Sequence, residues 1–470
     1  MRTRPPIAVA AARLAGRISR ATGHGGTALP GLIAQRLDPK LLGDLLQQLP
    51  LGHALISATN GKTTTAHLVG AMLREAGQRP LGNQAGSNLE RGLLAALLAR
   101  TDARGRLRAV DTTVGVFEVD EATLPAVIEA AAPRVVALGN LFRDQLDRYG
   151  EVDWVAALWS KVVQQLSDRT TAVLNADDPL VASLGREAKC GTVYYGIEDL
   201  AVARPSRPHA SDSHACPSCG RDYTYAGVFY SHLGHYRCGP CGRERPRPQV
   251  YATQVHARGL GGCTAHIDTP EGSFALDLRL PGLYNLHNAL AATATALALG
   301  APLDAIQRAL AGMAPAFGRG ETAEVAGRQV SILLVKNPVG FSETLGAVFE
   351  EAGQRHMLLA LNDGIADGRD VSWIWDADVD PARGRCATLV IGGRRAHDLA
   401  LRFKYAAESP GEDGPEPIVV AGDVRQALDA ALERTPRGET LYVLPTYTAM
   451  LELREIIARR AGLRRFWDTG

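Results

Sequence analysis

The sequence predicts an α/β protein built from two parallel-sheet domains, the first of them interrupted by a cysteine ribbon. Three observations lead there. Short apolar runs alternate with helical patterns from residue 54 to about residue 185 and again beyond residue 330, the pattern of parallel strands covered by helices. One of these runs, at residues 54–58, feeds a glycine-containing loop that opens directly into a helix. Two C-x-x-C pairs fall inside a stretch, residues 203–250, where the periodicity lapses into Pro, His, Arg and Cys.

At 470 residues the chain exceeds one ordinary core and suggests about three units. Hydrophobic residues are 46% and charged residues 21%, enough apolar surface for sizeable cores and too much for extensive disorder. Lys and Arg total 51 against 50 Asp and Glu, so no global field favours nucleic acid. Seven cysteines in a chain this long, four of them in C-x-x-C pairs, point to a metal and a reducing cytoplasm rather than to a disulfide framework. No run reaches the roughly 18 apolar residues that a spanning helix needs.

Residues 1–45 read as a basic helical segment. Arg2, Arg4, Arg13, Arg17 and Arg20 surround a short apolar run with no acidic residue before Ala21, and Arg13 interrupts that run, unlike a secretory signal. Such a helix suits an anionic lipid surface at the inner face of the plasma membrane, or packing on the body of the protein. Residues 46–318 form the central domain, with strands expected at 54–58, 114–119, 135–138 and 172–174, helices at 154–166 and 285–299, and the insertion at 203–250. The segment 317–321 reads as a hinge into residues 319–470, a second, Rossmann-like α/β domain with strands at 330–335, 357–361, 388–391, 418–420 and 441–443. Residues 408–417 read as a solvated loop.

The run Ser57-Ala58-Thr59-Asn60-Gly61-Lys62-Thr63-Thr64-Thr65 carries the chemistry of a phosphate site. A strand, a tight loop and a helix N-terminus in succession aim backbone N–H groups and the positive end of the helix dipole at an anion. Lys62 is placed to neutralise the β- and γ-phosphates and the Thr63 hydroxyl to hold Mg²⁺, which makes ATP with Mg²⁺ the expected ligand. Gly-Lys-Thr alone is a weak signal, and the full pattern would have glycine at Ile56; a surface turn opening a helix is the plainer alternative.

Cys216, Cys219, Cys238 and Cys241 have the C-x₂-C-x₁₈-C-x₂-C spacing that gathers four thiolates around zinc. Four protein ligands leave no open position, so the expected Zn²⁺ is structural. His214, His232 and His235 lie nearby without being required as ligands, and Cys190, Cys263 and Cys386 read as small buried hydrophobes.

The phosphate loop resembles that of the Mur ligase family, Gly-Thr-Asn-Gly-Lys-Thr, with Ala58 in place of the first glycine. Further landmarks follow in the family's order, and the resemblance implies roles for them. Glu118 takes the place of a magnesium-binding carboxylate. Asn140 precedes residues 144–150, where Gln145 replaces a metal-binding histidine, and Lys161 matches a lysine that is carbamylated in several members. Residues 175–179 and 284–288 are similar to nucleotide-contacting segments, with Asn285 and Asn288 suited to adenine, and Arg319 matches a hinge arginine that reaches ATP.

The absence of a sugar-nucleotide domain ahead of the loop, the cysteine ribbon, and residues 336–343, 362–363, 367–376 and 445–450 narrow the resemblance to the synthetase subunits of lipid II isoglutaminyl synthases. That implies ATP-dependent amidation of the D-glutamate α-carboxylate of lipid II through an acyl phosphate. The chain has no Cys/His setting for a glutaminase, so ammonia would come from a GatD-type glutamine amidotransferase. An aspartate of the C-terminal domain is implicated in completing that partner's centre; Asp370 is the first choice, with Asp363 and Asp376 behind it, against the alternative that these acids merely build a turn. Three other readings compete. They are a ligase adding an amino acid, as folylpolyglutamate synthases do; a nucleic-acid-binding ATPase using Arg237, Arg243, Arg245 and Arg247 of the ribbon; and a partner-regulated ATPase without ligase chemistry.

Overall fold

The computed structural model describes residues 5–21, 28–83, 87–144, 152–205, 207, 215–313, 319–406 and 417–462. The first part of the chain runs α1 (Pro5–Ala21), α2 (Leu29–Leu37), α3 (Leu41–Leu46), β1 (His53–Ser57), α4 (Lys62–Glu75), β2 (Arg79–Leu81), α5 (Glu90–Leu98), β3 (Thr113–Glu118), α6 (Leu124–Ala130), β4 (Val135–Leu138), α7 (Val152–Gln165), β5 (Thr171–Asn175), α8 (Pro179–Leu184) and β6 (Gly191–Ile197). It continues with β7 (Thr224–Tyr230), β8 (Leu233–Arg237), β9 (Val250–Ala257), β10 (Cys263–Thr269), β11 (Gly272–Leu278), α9 (Leu283–Ala298) and α10 (Leu303–Ala311).

Nine strands form one sheet in the order β11-β10-β9-β6-β5-β4-β1-β3-β2. From β2 to β9 the pairings are parallel, and β9, β10 and β11 add an antiparallel edge. The central strands are buried on both faces, which is why they read as continuous apolar runs. Successive side chains nevertheless feed different cores. Ala54 and Ile56 pack with Leu68, Val69 and Met72 of α4 and Leu286 and Leu290 of α9, whereas Leu55 packs with Leu93, Phe117 and Trp159 on the opposite face.

Helix α1 lies on the body, packed against α2 and α5, with Ala8, Val9 and Ala12 buried and the Arg13 guanidinium donating to the Thr101 carbonyl. Ile7 and Leu14 remain exposed. No described helix is long and apolar enough to cross a membrane.

The second sheet starts at Arg319. Its elements are β12 (Arg319–Val325), β13 (Arg328–Leu333), α11 (Pro338–Val348), β14 (Arg355–Ala360), β15 (Cys386–Gly393), α12 (Ala396–Lys404), β16 (Ile418–Ala421), α13 (Val424–Arg434), β17 (Thr440–Pro445) and α14 (Tyr447–Arg460). The strand order is β12-β13-β17-β14-β15-β16, parallel except for the β12–β13 hairpin.

The sequence reading does not anticipate the antiparallel edge. Yet β11 alternates inward Phe274, Leu276 and Leu278 with exposed neighbours, the period-two pattern of a strand with one wet face. The inserted ribbon is a separate two-stranded sheet, β7 with β8. The expected hinge at 317–318 and the loop at 408–416 lie outside the described residues.

Candidate active site

A cavity of about 430 Å³ opens where the carboxyl ends of β1 and β3 face the second sheet's domain. β1 lies between β3 and β4, so the chain crosses from one side of β1 to the other between those strands, and the loops at their ends part there. The phosphate loop fills that gap. Gly61 has a φ of +88°, and a Cβ on it would stand 2.0 Å from Asn288 Oδ1, so only glycine lets the loop pass α9.

Asn140 clasps the loop from the end of β4. Its Oδ1 accepts from the Asn60 N–H at 2.9 Å, its Nδ2 donates to the Asn60 carbonyl at 3.0 Å, and its own carbonyl accepts from the Thr59 N–H at 2.9 Å. The loop's backbone is thereby set before any ligand arrives.

Lys62 is buried and donates to Glu121 Oε2 at 3.0 Å and to the Ala58 carbonyl. Burial opposes its charge, but the carboxylates of Glu121, Glu118 and Asp144 outweigh burial and hold the ammonium pKa above its ordinary value. A cation is therefore fixed at the loop. Glu118 ends β3 and reaches the same cavity; its backbone is pinned by Asn83, which accepts from its N–H at 3.0 Å and donates to its carbonyl at 2.8 Å.

The second domain supplies the opposite wall. Lys336 Nζ donates to the Thr59 carbonyl and to Asp144 Oδ2, both at 3.1 Å. Asn337 caps α11 by accepting from the Gly340 N–H at 2.8 Å and bonds Asn60 across the domain boundary.

Of the expected nucleotide residues, Thr59, Asn60, Gly61, Lys62, Thr63 and Asn288 line the cavity, as does Glu118. Thr64 is buried in α4 beneath them and is not on the lining. Asn285 stands one layer back, donating to the Pro281 carbonyl at 2.7 Å and accepting from Asn288 Nδ2 at 3.0 Å, so it orients Asn288.

Asp177 and Asp178, in the other expected nucleotide segment, are fully buried and off the lining. Asp177 binds Arg245 at 2.5 Å, His287 at 2.7 Å and the Ile197 N–H at 2.9 Å. Asp178 caps α8 and accepts from the Leu141 N–H at 2.9 Å. Lys161 is solvent-exposed on α7 and off the lining, Gln145 lies outside the described residues, and only the backbone of Arg319 is described, at the start of β12.

The sequence reading misses Glu121, the partner of Lys62, and gives Lys336, Glu343 and Asn83 no part in the site. The cluster Glu118, Asp120 and Glu121 after one strand was the available signal for the first.

The C-terminal acids separate by role. Asp367 is buried and builds the turn, accepting from the Gly364 N–H at 3.1 Å, the Thr448 N–H at 2.8 Å and the Thr448 hydroxyl. Asp370 is exposed and, just ahead of a short 3₁₀ turn, accepts from the Ser372 N–H at 2.8 Å. Asp363 faces Arg395 at 3.5 Å, and Asp376 reaches back to Arg143 of the first domain at 3.0 Å.

In the ribbon the four sulfurs lie within 4.8 Å of one another, with Cys216–Cys241 and Cys219–Cys238 at 3.4 Å. That is far beyond a disulfide and near the ~3.8 Å edge of a tetrahedron built on Zn–S bonds of about 2.3 Å. The donor set fits zinc. His232 and His235 are engaged elsewhere, with Asp178 at 3.3 Å and with the Ile197 carbonyl at 2.8 Å. Cys190, Cys263 and Cys386 are buried, and burial raises the thiol pKa of each.

Comparison with known proteins agrees with this architecture. The family model of the Mur ligase middle domain matches residues 56–218, and that of the MurT ligase C-terminal domain matches residues 334–450. The chain is 31% identical, over 454 residues, to the lipid II isoglutaminyl synthase (glutamine-hydrolyzing) subunit MurT of Staphylococcus aureus (strain COL), covering 96% of this chain and 97% of that protein. The chain belongs to the MurT family of Mur ligases.

The MurT protein of Streptococcus pneumoniae (strain ATCC BAA-255 / R6) is similar at 29% identity, over 94% of each chain. The pseudomurein peptide ligase type C of Methanothermus fervidus shares the fold, with a TM-score of 0.64 at 22% identity, covering 87% of this chain and 78% of that one. The MurT C-terminal match takes in Lys336, Asn337 and Glu343, so the cavity's second wall belongs to the part of the chain that characterises MurT.

Proposed function

We propose that this chain is the synthetase subunit of a peptidoglycan-amidating enzyme, converting the α-carboxylate of D-glutamate in lipid II to the carboxamide at the expense of ATP. One observation carries the reading. A single cavity has the phosphate loop and Glu118 on one wall and Lys336 and Glu343 on the other, in a chain colinear with proteins named as lipid II isoglutaminyl synthase subunits.

A carboxylate is a poor electrophile, and its transfer to nitrogen requires a leaving group. Attack of the carboxylate oxygen on the γ-phosphorus of ATP gives an acyl phosphate and ADP; ammonia then displaces phosphate. Lys62, now held by Glu121, turns to the β- and γ-phosphates, while the loop N–H groups and Lys336 stabilise the charge that moves during transfer. The Thr63 hydroxyl and Glu118 would hold Mg²⁺, which when bound would supply neutralisation of the phosphate charge. Asn288, oriented by Asn285, presents its amide to the nucleotide. The four ribbon cysteines would hold a structural Zn²⁺.

Ammonia must arrive unprotonated, and a GatD-type glutamine amidotransferase is its source in this reading. The exposure of Asp370 on the C-terminal domain suits a residue offered to that partner. The ribbon is a poorer nucleic-acid surface than its arginines suggest, because Arg245 is committed to Asp177 and Glu198.

The test is amidation of lipid II by the purified chain with ATP and Mg²⁺. The carboxamide should form from ammonium alone, and from glutamine only when the amidotransferase is added. ATP hydrolysis without amide under every condition would keep the nucleotide site and discard the substrate.

A further inference from the structure

We propose that Glu343 is the base that receives the proton of the attacking ammonia, an assignment that rests on the acyl-phosphate reading above. Helix α11 turns Val339, Gly340, Glu343 and Thr344 into the cavity, one face at helical spacing. Glu343 thus stands on the C-terminal domain's wall of the cavity, and the phosphate loop on the central domain's. In this assignment ammonia reaches the acyl carbon from the C-terminal domain's wall.

The other carboxylates on the lining are already committed. Glu121 binds Lys62 at 3.0 Å, Asp144 binds Lys336 at 3.1 Å, and Asp120 accepts from the Ala122 N–H at 3.2 Å. Glu118 sits beside the loop and is the magnesium carboxylate of the proposed function. Among the described residues the ion-pair partner of Glu343 is Arg204, one contact of 3.5 Å from a side chain that is 45% exposed, while Glu343 itself is 12% exposed. This carboxylate is thus enclosed and loosely held.

The proton balance of the reaction calls for such a group. The nitrogen lone pair forms the C–N bond, the electrons of the C–O bond leave with phosphate, and the surplus N–H proton passes to a Glu343 oxygen. The carboxyl then gives that proton to the departing phosphate, restoring the carboxylate. Burial pushes the Glu343 carboxyl up to about 7, with Arg204 opposing and Asp378 adding to the rise, and the Tyr230 phenol lines the same cavity within reach of its charge. A base of that strength accepts and releases a proton readily near neutrality.

Glu343→Gln and Glu343→Asp test the assignment in the full chain with lipid II, Mg²⁺ and ammonium. Two readouts are taken: amide formation, and positional isotope exchange in ATP labelled with ¹⁸O at the β,γ-bridge, followed without ammonium. The exchange reports acyl phosphate formation and needs no base for nitrogen.

Glu343→Gln should retain the exchange and lose amide formation by about 100-fold or more, and Glu343→Asp should recover part of it. Unchanged amidation in Glu343→Gln overturns the proposal. So does a parallel loss of exchange and amidation, which would make Glu343 a positioning residue. No exchange in the unsubstituted chain would instead remove the acyl phosphate, and the base assignment with it.

Discussion

Asn60 in the phosphate loop and Asn337 at the head of α11 exchange two side-chain amide hydrogen bonds, 3.2 and 2.8 Å long, across the boundary between the two domains. The loop that is to hold phosphate is thus the surface on which the C-terminal domain rests. Lys336 strengthens the junction by bonding the Thr59 carbonyl. Domain position and the proposed nucleotide site share the same few residues.

Asn337→Ala removes the junction and the α11 cap together. The cap alone is worth about 1 kcal/mol, so thermal denaturation should shift down by a few degrees. Amidation should fall further than this modest destabilisation explains, since Lys336 loses its neighbour's hold on the loop. Isothermal titration should show weakened ATP binding; wild-type affinity and turnover would mean that the junction is incidental.

Lys62→Met should abolish ATP turnover and also destabilise the fold, because it strands the buried Glu121 carboxylate. Breaking a buried pair from one side costs about 3–5 kcal/mol. The double variant Lys62→Met/Glu121→Gln should regain most of the stability and none of the turnover. Denaturant melts of the unsubstituted chain, Lys62→Met, Glu121→Gln and the double variant, read as a double-mutant cycle, check this.

How much of this was open to sequence reasoning depends on range. The loop from Ser57 to Thr65 and the four ribbon cysteines declare themselves because their chemistry lies within a few neighbouring positions. Lys62 was legible for the same reason, but its partner Glu121 sits 59 residues on and meets it only because β3 lies beside β1. Asn285 and Asn288 look alike in sequence; which of them faces the cavity is set by the helix's rotation against Pro281 and Gly61. Asp177 reads in sequence as a ligand residue but is a structural anchor in the fold, because Arg245 folds back from the ribbon to meet it.

That anchor has a pH signature. Burial disfavours the Asp177 charge, but Arg245 and the His287 hydrogen bond outweigh it and lower the carboxyl from 3.8 to about 2. A depressed folded-state pKa contributes stability above the unfolded value and loses it as pH falls. Stability from this group should be constant above roughly pH 4 and drop between 4 and 2. Asp177→Asn should be less stable at neutral pH and show a shallower acid limb in denaturant melts taken across that range.

Zinc should be present at one equivalent per chain by elemental analysis and absent from Cys216→Ser. Its loss should lower the melting temperature, because the ribbon joins the central sheet through Arg245, His232 and His235. A zinc-free protein of unchanged melting temperature would mean that the four thiols hold no structural ion.

Asp370→Asn separates the two half-reactions. The side chain is exposed and away from the cavity, so ammonium-dependent amidation should be unchanged. Glutamine-dependent amidation with the amidotransferase should fall steeply. Equal rates with glutamine would move the role to Asp363 or Asp376.

In the proposed reaction the carboxylate becomes an acyl phosphate, a mixed anhydride, before nitrogen arrives. Lipid II carrying ¹⁸O in the D-glutamate α-carboxylate, incubated with ATP, Mg²⁺ and ammonium, reports this directly through the mass of the inorganic phosphate released. One labelled oxygen should appear in phosphate for each carboxamide formed. Carboxamide formed alongside unlabelled phosphate would contradict the acyl phosphate and the mechanism built on it.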